Sequence, residues 1–136
     1  MNQPRKIPMM DGNKTLLVDD DENILWVTKL ILSEANFSVD TTCDPMEALV
    51  KSQSIEYSVF VIDYIMSKMK GDELAKKIID IKRSNGLQAH IIFLTGYTDS
   101  VDYLETLAGN SNKVLIKPTS APDLIEAIRS KIEHHR

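Results

Sequence analysis

Four short apolar runs, each ending abruptly on a residue with chemistry to offer, constrain this 136-residue chain more than any other feature. Val59-Phe60-Val61-Ile62 runs straight into Asp63, and Leu16-Leu17-Val18 stops at Asp19-Asp20-Asp21. Ile91-Ile92-Phe93-Leu94 stops at Thr95-Gly96, and Val114-Leu115-Ile116 stops at Lys117-Pro118. Runs without polar alternation suit strands that are covered on both faces. A strand that ends on a polar or charged residue places that group at the rim of its sheet. Four buried strands thus bring, in chain order, acids, one acid, a hydroxyl and an amine to one place.

The intervening segments read as helices. Glu22 to Ala35 follows helical period, with Ile24, Leu25, Thr28, Ile31 and Leu32 as its buried stripe and Asp21 as its N-cap. Phe37 to Thr42 alternates weakly and reads as a strand near a sheet edge. Asp44-Pro45-Met46-Glu47 opens a short helix as a capping box, with Pro at the first helical position. Leu74, Ile78 and Ile81 mark a third helix closed by Asn85-Gly86. Val101, Leu104 and Ala108 give a short fourth, and Ser120-Ala121-Pro122-Asp123 caps a last one buried through Leu124, Ile128 and Ile132. The strands are placed at Thr15 to Asp19, Phe37 to Thr42, Val59 to Asp63, His90 to Leu94 and Val114 to Ile116.

Five strand-helix units in strict alternation, joined by right-handed crossovers, predict a doubly wound α/β fold of flavodoxin-like (βα)5 type. The expected strand order is 2-1-3-4-5, with helices on both faces. Ligands bind such sheets outside the carboxyl ends of the strands, where the order reverses. That reversal falls between strands 1 and 3, whose carboxyl ends carry Asp19-Asp20 and Asp63. Residues 14–133 form one domain in this reading, with residues 1–13 a mobile tail and residues 134–136 a frayed end.

Composition narrows the class. An apolar fraction of 43% and a charged fraction of 26% are those of a soluble globular protein, and the length suits a core buried without staples. The single cysteine, Cys43, allows no internal disulfide and reads as a small residue near a strand end. No run is long enough to span a membrane and none resembles a signal peptide, so a cytoplasmic protein is the expectation. The net charge of −4 argues against direct nucleic-acid binding. His90 reads as structural, and His134 and His135 as part of the frayed terminus.

Three carboxylates converging on one crevice raise each other's pKa unless a cation joins them. Oxygen ligands without His or Cys favour a hard ion, and Mg²⁺ with several waters fits two or three carboxylates. Mg²⁺ so held commonly accompanies a phosphate, and Lys117 and Thr95 suit phosphoryl oxygens. No Gly-rich phosphate loop is present, which leaves a carboxylate as the natural phosphoryl acceptor.

These motifs resemble the receiver domain of two-component response regulators, from about Lys14 to Glu133. The matching pieces are Leu17-Val18-Asp19-Asp20-Asp21, Val61-Ile62-Asp63 followed by Met66 and Gly71, Leu94-Thr95-Gly96, and Ile116-Lys117-Pro118. The resemblance implies that Asp63 is the phosphoacceptor. It implies that Asp20 binds Mg²⁺ directly, and Asp19 directly or through water, together with Asp63 and the backbone carbonyl of Ile65. Thr95 would bond the phosphoryl group, Lys117 would pair with it, and the Lys117-Pro118 bond would be cis. A histidine kinase or a histidine phosphotransfer protein would be the donor, making the chain a signalling switch and not a turnover enzyme.

Several positions depart from the family pattern. Ser67 replaces the usual proline after Met66, and Val114 stands where an aromatic commonly swings inward on activation. The switch is then read elsewhere, with Tyr97 a candidate. Ile65 and Tyr97 occupy the positions where family members tune phosphoryl lifetime; both are bulky, which implies a long-lived phosphoryl group. Trp26 and Leu30, at i and i+4 on the first helix, read as a partner surface or as a face packed on another segment. The oligomeric state is expected to be a monomer or weak dimer. Two competing readings stay open: a receiver-like module blind to phosphate, and a small Mg²⁺-dependent phosphatase with Asp19 as nucleophile. The sequence leaves open a stand-alone regulator or a receiver within a longer protein.

Overall fold

The computed structural model describes residues 14–135, and the predicted tail of residues 1–13 lies outside them, as does Arg136. Five strands alternate with five helices: β1 Lys14–Val18, α1 Glu22–Glu34, β2 Ser38–Thr42, α2 Pro45–Ser54, β3 Val59–Asp63, α3 Gly71–Ser84, β4 Ile91–Thr95, α4 Val101–Glu105, β5 Lys113–Ile116 and α5 Ala121–His135. The strands form one parallel sheet in the order β2-β1-β3-β4-β5. The expected topology and its reversal between β1 and β3 are both present.

The continuous apolar runs are explained by the two cores they feed. Leu16, Val18, Phe60, Ile62, Ile91 and Phe93 face one core, with Ala48 of α2, Leu74 and Ile78 of α3 and Leu104 of α4. Leu17, Val59, Val61 and Ile92 face the other, with Leu25 and Leu32 of α1 and Leu124 and Ile128 of α5. Successive strand side chains point to opposite faces, so a strand with a core on each side needs apolar residues at every position. All five residues of β3 are buried, Asp63 included.

The helices depart from the predicted stripes in ways that packing explains. On α1 only Leu25 and Leu32 are buried and Thr28 is half-buried; Ile24 and Ile31 are 44% and 38% exposed. Each isoleucine precedes a buried leucine by one residue, about 100° around the helix, and so lies on the flank of the contact. On α3 the buried set is Gly71, Leu74, Ala75, Ile78, Ile79 and Lys82, while Ile81 is half-buried. Lys82 takes the last core position by laying its stem inward and its ammonium 5.6 Å over the Phe60 ring, within 3.3 Å of the Tyr57 carbonyl.

The capping of α2 also differs. Asp44 accepts from the Met46 amide at 3.0 Å, but Glu47 accepts from the Thr42 hydroxyl, and that hydroxyl accepts the Asp44 amide at 3.1 Å. Thr42 thus stands between the two partners of the predicted capping box. β4 starts one residue later than predicted and includes Thr95, whereas Asp19 and Phe37 fall outside their strands. α5 runs on to His135, beyond the predicted domain end at Glu133.

The predicted fourth helix is cut short. α4 has five residues, and Ala108 sits in a separate turn at φ 58°, followed by Gly109 at φ 68°. Left-handed backbone costs a residue with a Cβ about 1–2 kcal/mol. Offset by the added freedom of the unfolded chain, Ala108→Gly is expected to stabilise the domain by about 0.5–1 kcal/mol. Thermal unfolding should show a rise of about 2–4 °C; an unchanged or lower midpoint would contradict strain at this turn.

Candidate functional site

The carboxyl ends of β1 and β3 bring Asp19 and Asp63 together, both 5% exposed, with the exposed Asp20 alongside. One oxygen of each carboxylate lies within 4.8 Å of the others. Local bonds hold each acid in a different way. Asp19 Oδ1 accepts from the Asp21 amide at 2.9 Å, and the Asp19 amide donates to the Thr42 carbonyl at 3.3 Å. Asp21 itself caps α1, accepting from the amides of Asn23 and Ile24. Asp20 Oδ2 accepts from the Ser67 amide at 3.0 Å, tying the loop after β1 to the loop after β3.

Opposite the acids stands Lys117, its Nζ 2.6 Å from Asp63 Oδ1. Its backbone is fixed on both sides. The Lys117 amide donates to the Thr95 carbonyl at 2.8 Å, and the Lys117-Pro118 peptide is cis, as the resemblance implied. Thr95, 1% exposed, closes β4; its Oγ1 accepts from the Tyr97 amide at 3.0 Å and meets Ser100 Oγ at 3.3 Å. The structure therefore gathers Asp19, Asp20, Asp63, Thr95 and Lys117 at one end of the sheet.

Burial is the first cause that pushes the Asp63 carboxyl above the usual range, with Lys117 pulling the other way. Burial likewise raises Asp19, opposed by the Asp21 amide and reinforced by the charge on Asp63. Asp19 Oδ2 is buried with no hydrogen-bond partner. A buried anionic oxygen without a donor is costly, and an oxygen-rich cluster around it fits a hard cation such as Mg²⁺.

The other predicted positions sit nearby or apart. Ile65 lies in the loop after β3, 42% exposed, and Tyr97 in the turn after β4, 57% exposed. Both line a cleft of about 360 Å³ with Tyr64, Lys70, Ser100 and Tyr103. Tyr103 donates to Asp72 Oδ2 at 2.6 Å, and that bond pushes its hydroxyl up to about 12. Val114 is half-buried on β5 and packs against the core of α2, α3 and α4. Trp26 and Leu30 project from α1, 66% and 46% exposed. A larger cleft of about 810 Å³ runs along β5 and α5, and none of the clustered acids lines it.

Sequence reasoning missed three contributors. The Ser67 amide holds Asp20, and a backbone donor leaves no mark in sequence. Ser100, five residues past Thr95, is one hydroxyl among several in a polar turn. Gly71 was read as part of a motif without its reason, which is steric: a Cβ there would lie 2.4 Å from the Asp63 carbonyl oxygen.

A doubly wound sheet thus carries buried acids at its reversal, with a lysine paired to one of them. The sequence pattern of the response regulator receiver domain matches residues 15–129. The chain belongs to that family, whose members are the phosphoacceptor switches of two-component signalling and bind Mg²⁺ at an acidic pocket. It is 27% identical over 115 residues to the response regulator ArlR of Staphylococcus aureus, covering 85% of this chain and 50% of that one. The chain spans about half the length of the curated relatives it matches. Among solved structures it is similar to a CheY-like receiver domain protein of Methanospirillum hungatei, with TM-score 0.79 and 28% identity over 90% of this chain and 95% of the other. The chemotaxis protein CheY4 of Vibrio cholerae superposes with TM-score 0.76 at 28% identity, over 87% of this chain and 97% of that one. Among the described residues no helix is long and apolar enough to cross a membrane.

Proposed function

We propose that this receiver accepts a phosphoryl group on Asp63 from a phosphohistidine partner, a histidine kinase or histidine phosphotransfer protein. The observation that carries the reading is the pairing of buried Asp63 with Lys117 at 2.6 Å beside the unpartnered oxygen of Asp19. Asp19, Asp20, Asp63 and the Ile65 carbonyl would hold Mg²⁺, which supplies positive charge against the phosphoryl oxygens. An Asp63 oxygen attacks phosphorus, the O–P bond forming as the P–N bond breaks. The imidazole leaves with the electron pair and takes its proton from solvent. Lys117 exchanges its carboxylate for a phosphoryl oxygen, and Thr95 donates its hydroxyl to another. The domain supplies the electrostatics of its own modification and its slow hydrolysis.

Intact mass after incubation with acetyl phosphate tests this. A single Mg²⁺-dependent phosphoryl adduct, absent in Asp63→Asn, is expected. No adduct would favour the phosphate-blind module, and an adduct that survives Asp63→Asn but not Asp19→Asn would move the nucleophile to Asp19. Bulky Ile65 and Tyr97 bring neither acid nor amide to position a water, so the adduct should persist well beyond seconds. Decay within seconds would overturn that part.

α1 offers the partner surface. Ile24, Trp26, Val27, Leu30 and Ile31 are each at least 38% exposed on a 13-residue helix whose N-terminal cap borders the acids. Clustered exposed apolar residues mark contact sites, and Trp is enriched among the residues that anchor them. Trp26→Ala should slow phosphotransfer from the partner roughly tenfold or more while leaving acetyl phosphate labelling intact. Equal loss with both donors would refute docking at this face.

A further inference from the structure

We infer that Ser100 is a positioning residue that holds the Thr95 hydroxyl in its resting orientation and competes with the phosphoryl group for its proton. The inference rests on the phosphoacceptor reading of Asp63 and adds to it a residue outside the predicted site.

The bonding around Tyr97 fixes the direction of every donor. The Tyr97 amide donates to Thr95 Oγ1 at 3.0 Å. Ser100 Oγ lies 2.6 Å from the Tyr97 carbonyl oxygen, which can only accept, so the single Ser100 proton is committed there. The remaining contact, Thr95 Oγ1 to Ser100 Oγ at 3.3 Å, then has Thr95 as its donor. The result is a closed circuit. It runs from the Tyr97 amide through both hydroxyls and back to the Tyr97 carbonyl. Thr95 and Ser100 are 1% and 9% exposed, so water competes poorly for either hydroxyl.

Thr95 has one proton, and it cannot serve Ser100 and a phosphoryl oxygen at once. Binding of a phosphoryl group therefore breaks the Thr95–Ser100 bond and leaves Ser100 Oγ as an acceptor without its donor. The resting bond opposes the phosphorylated state by about one neutral hydrogen bond at 3.3 Å. The turn survives the loss of the hydroxyl, because the Ser100 amide donates independently to the same Tyr97 carbonyl at 3.1 Å. The circuit also ties the site to the cleft of Tyr64, Tyr97 and Tyr103, since Ser100 meets Thr95 and lines that cleft.

The test uses beryllofluoride, a tetrahedral stand-in for the phosphoryl group on a carboxylate, titrated calorimetrically at saturating Mg²⁺. The proteins are the unmutated chain, Ser100→Ala, Thr95→Val and the double variant. Ser100→Ala is expected to bind roughly two- to tenfold more tightly, the equivalent of one neutral hydrogen bond. That gain should vanish in the Thr95→Val background, because an effect exerted through the Thr95 hydroxyl cannot outlive it. Ser100→Thr, which keeps the hydroxyl, should return the affinity toward that of the unmutated chain. Ser100→Cys, a weaker donor and acceptor, should fall between and serves if the alanine variant does not fold. Unchanged or weaker binding by Ser100→Ala, or an equal gain with and without the Thr95 hydroxyl, would overturn the inference while leaving Asp63 as acceptor. Failure of the unmutated chain to bind beryllofluoride would overturn the acceptor reading itself, and this inference with it.

Discussion

Gly71→Ala is expected to lower stability by about 1–3 kcal/mol and to remove most of the Mg²⁺-dependent phosphoryl acceptance at Asp63. A Cβ on Gly71 would lie 2.4 Å from the Asp63 carbonyl oxygen and 2.9 Å from Tyr64 Cα. Both are backbone atoms, so neither can swing aside as a side chain would. Asp63 sits in β3, hydrogen-bonded within the sheet, and the Gly71 amide donates to the Tyr64 carbonyl at 2.6 Å. The clash must therefore be relieved by moving the start of α3 and the loop of residues 64–70. That loop carries the Ser67 amide that holds Asp20 and the Ile65 carbonyl proposed to face Mg²⁺. Gly96 is the control. It also lies in a loop at this end of the sheet, nothing lies within 4 Å of its Cβ position, and Gly96→Ala should melt close to the unmutated chain. Thermal unfolding of the pair should separate them by several degrees, with adduct formation by intact mass as the second readout. Coincident melting curves would show that the close approach does not constrain the loop.

The strands, their order and the end of the sheet that carries the chemistry were legible because each follows from a local rule. An apolar residue at every position needs cover on both faces, and strict alternation with helices leaves few topologies. β3 reads this way from end to end. The helical faces were less legible, because period alone fixes the direction of a stripe only to within about one residue. On α1 the apolar arc from Ile24 to Leu32 is wider than the sheet can cover, so two isoleucines placed in the core lie outside it. On α3 a lysine took a core position, because its ammonium finds a carbonyl and an aromatic face that only tertiary structure supplies. α4 was overextended for a similar reason. Ala108 continues the helical spacing in sequence, yet its backbone is left-handed and Asn112 Nδ2 donates to the Leu104 carbonyl at 2.8 Å.

The site followed the same division. Acids, threonine and lysine stand at strand ends, so a strand prediction carries them along. What holds them does not: the Ser67 amide, the circuit through Ser100 and the space beside Gly71 are matters of backbone position. Asp21 was separable from its two neighbours because capping has its own grammar, a carboxylate one residue before a helical period. The structure gives it that role and leaves Asp19 and Asp20 to the pocket.

Asp19→Asn is expected to move stability and function in opposite directions. Asp19 and Asp63 are both held above the usual carboxylate range, chiefly by burial. An acid whose folded pKa exceeds its unfolded value favours the folded state at low pH. That contribution is lost as pH rises from about 4 through the raised value, since the native state then binds more protons than the unfolded chain. At neutral pH without Mg²⁺ the ionised cluster is therefore a burden, concentrated on Asp19 Oδ2, which has no donor. Asparagine keeps an oxygen for the Asp21 amide, removes one charge and should stabilise the chelator-treated protein by about 0.5–2 kcal/mol at pH 7. The gain should shrink as pH falls toward 4, where the unmutated cluster takes up protons. Added Mg²⁺ should reverse the ranking. At a hundredfold excess over its dissociation constant a cation stabilises its holder by about 2.7 kcal/mol, and a variant that loses one carboxylate of the cluster should lose at least the 10–100-fold in affinity typical of a lost supporting contact. Phosphoryl acceptance should fall with it. Melting curves of both proteins in chelator and in Mg²⁺, at pH 7 and near pH 4.5, decide the matter. A variant less stable than the unmutated chain in chelator at pH 7 would mean that Asp19 is satisfied within the fold, and the case for a cation at its free oxygen would go with it.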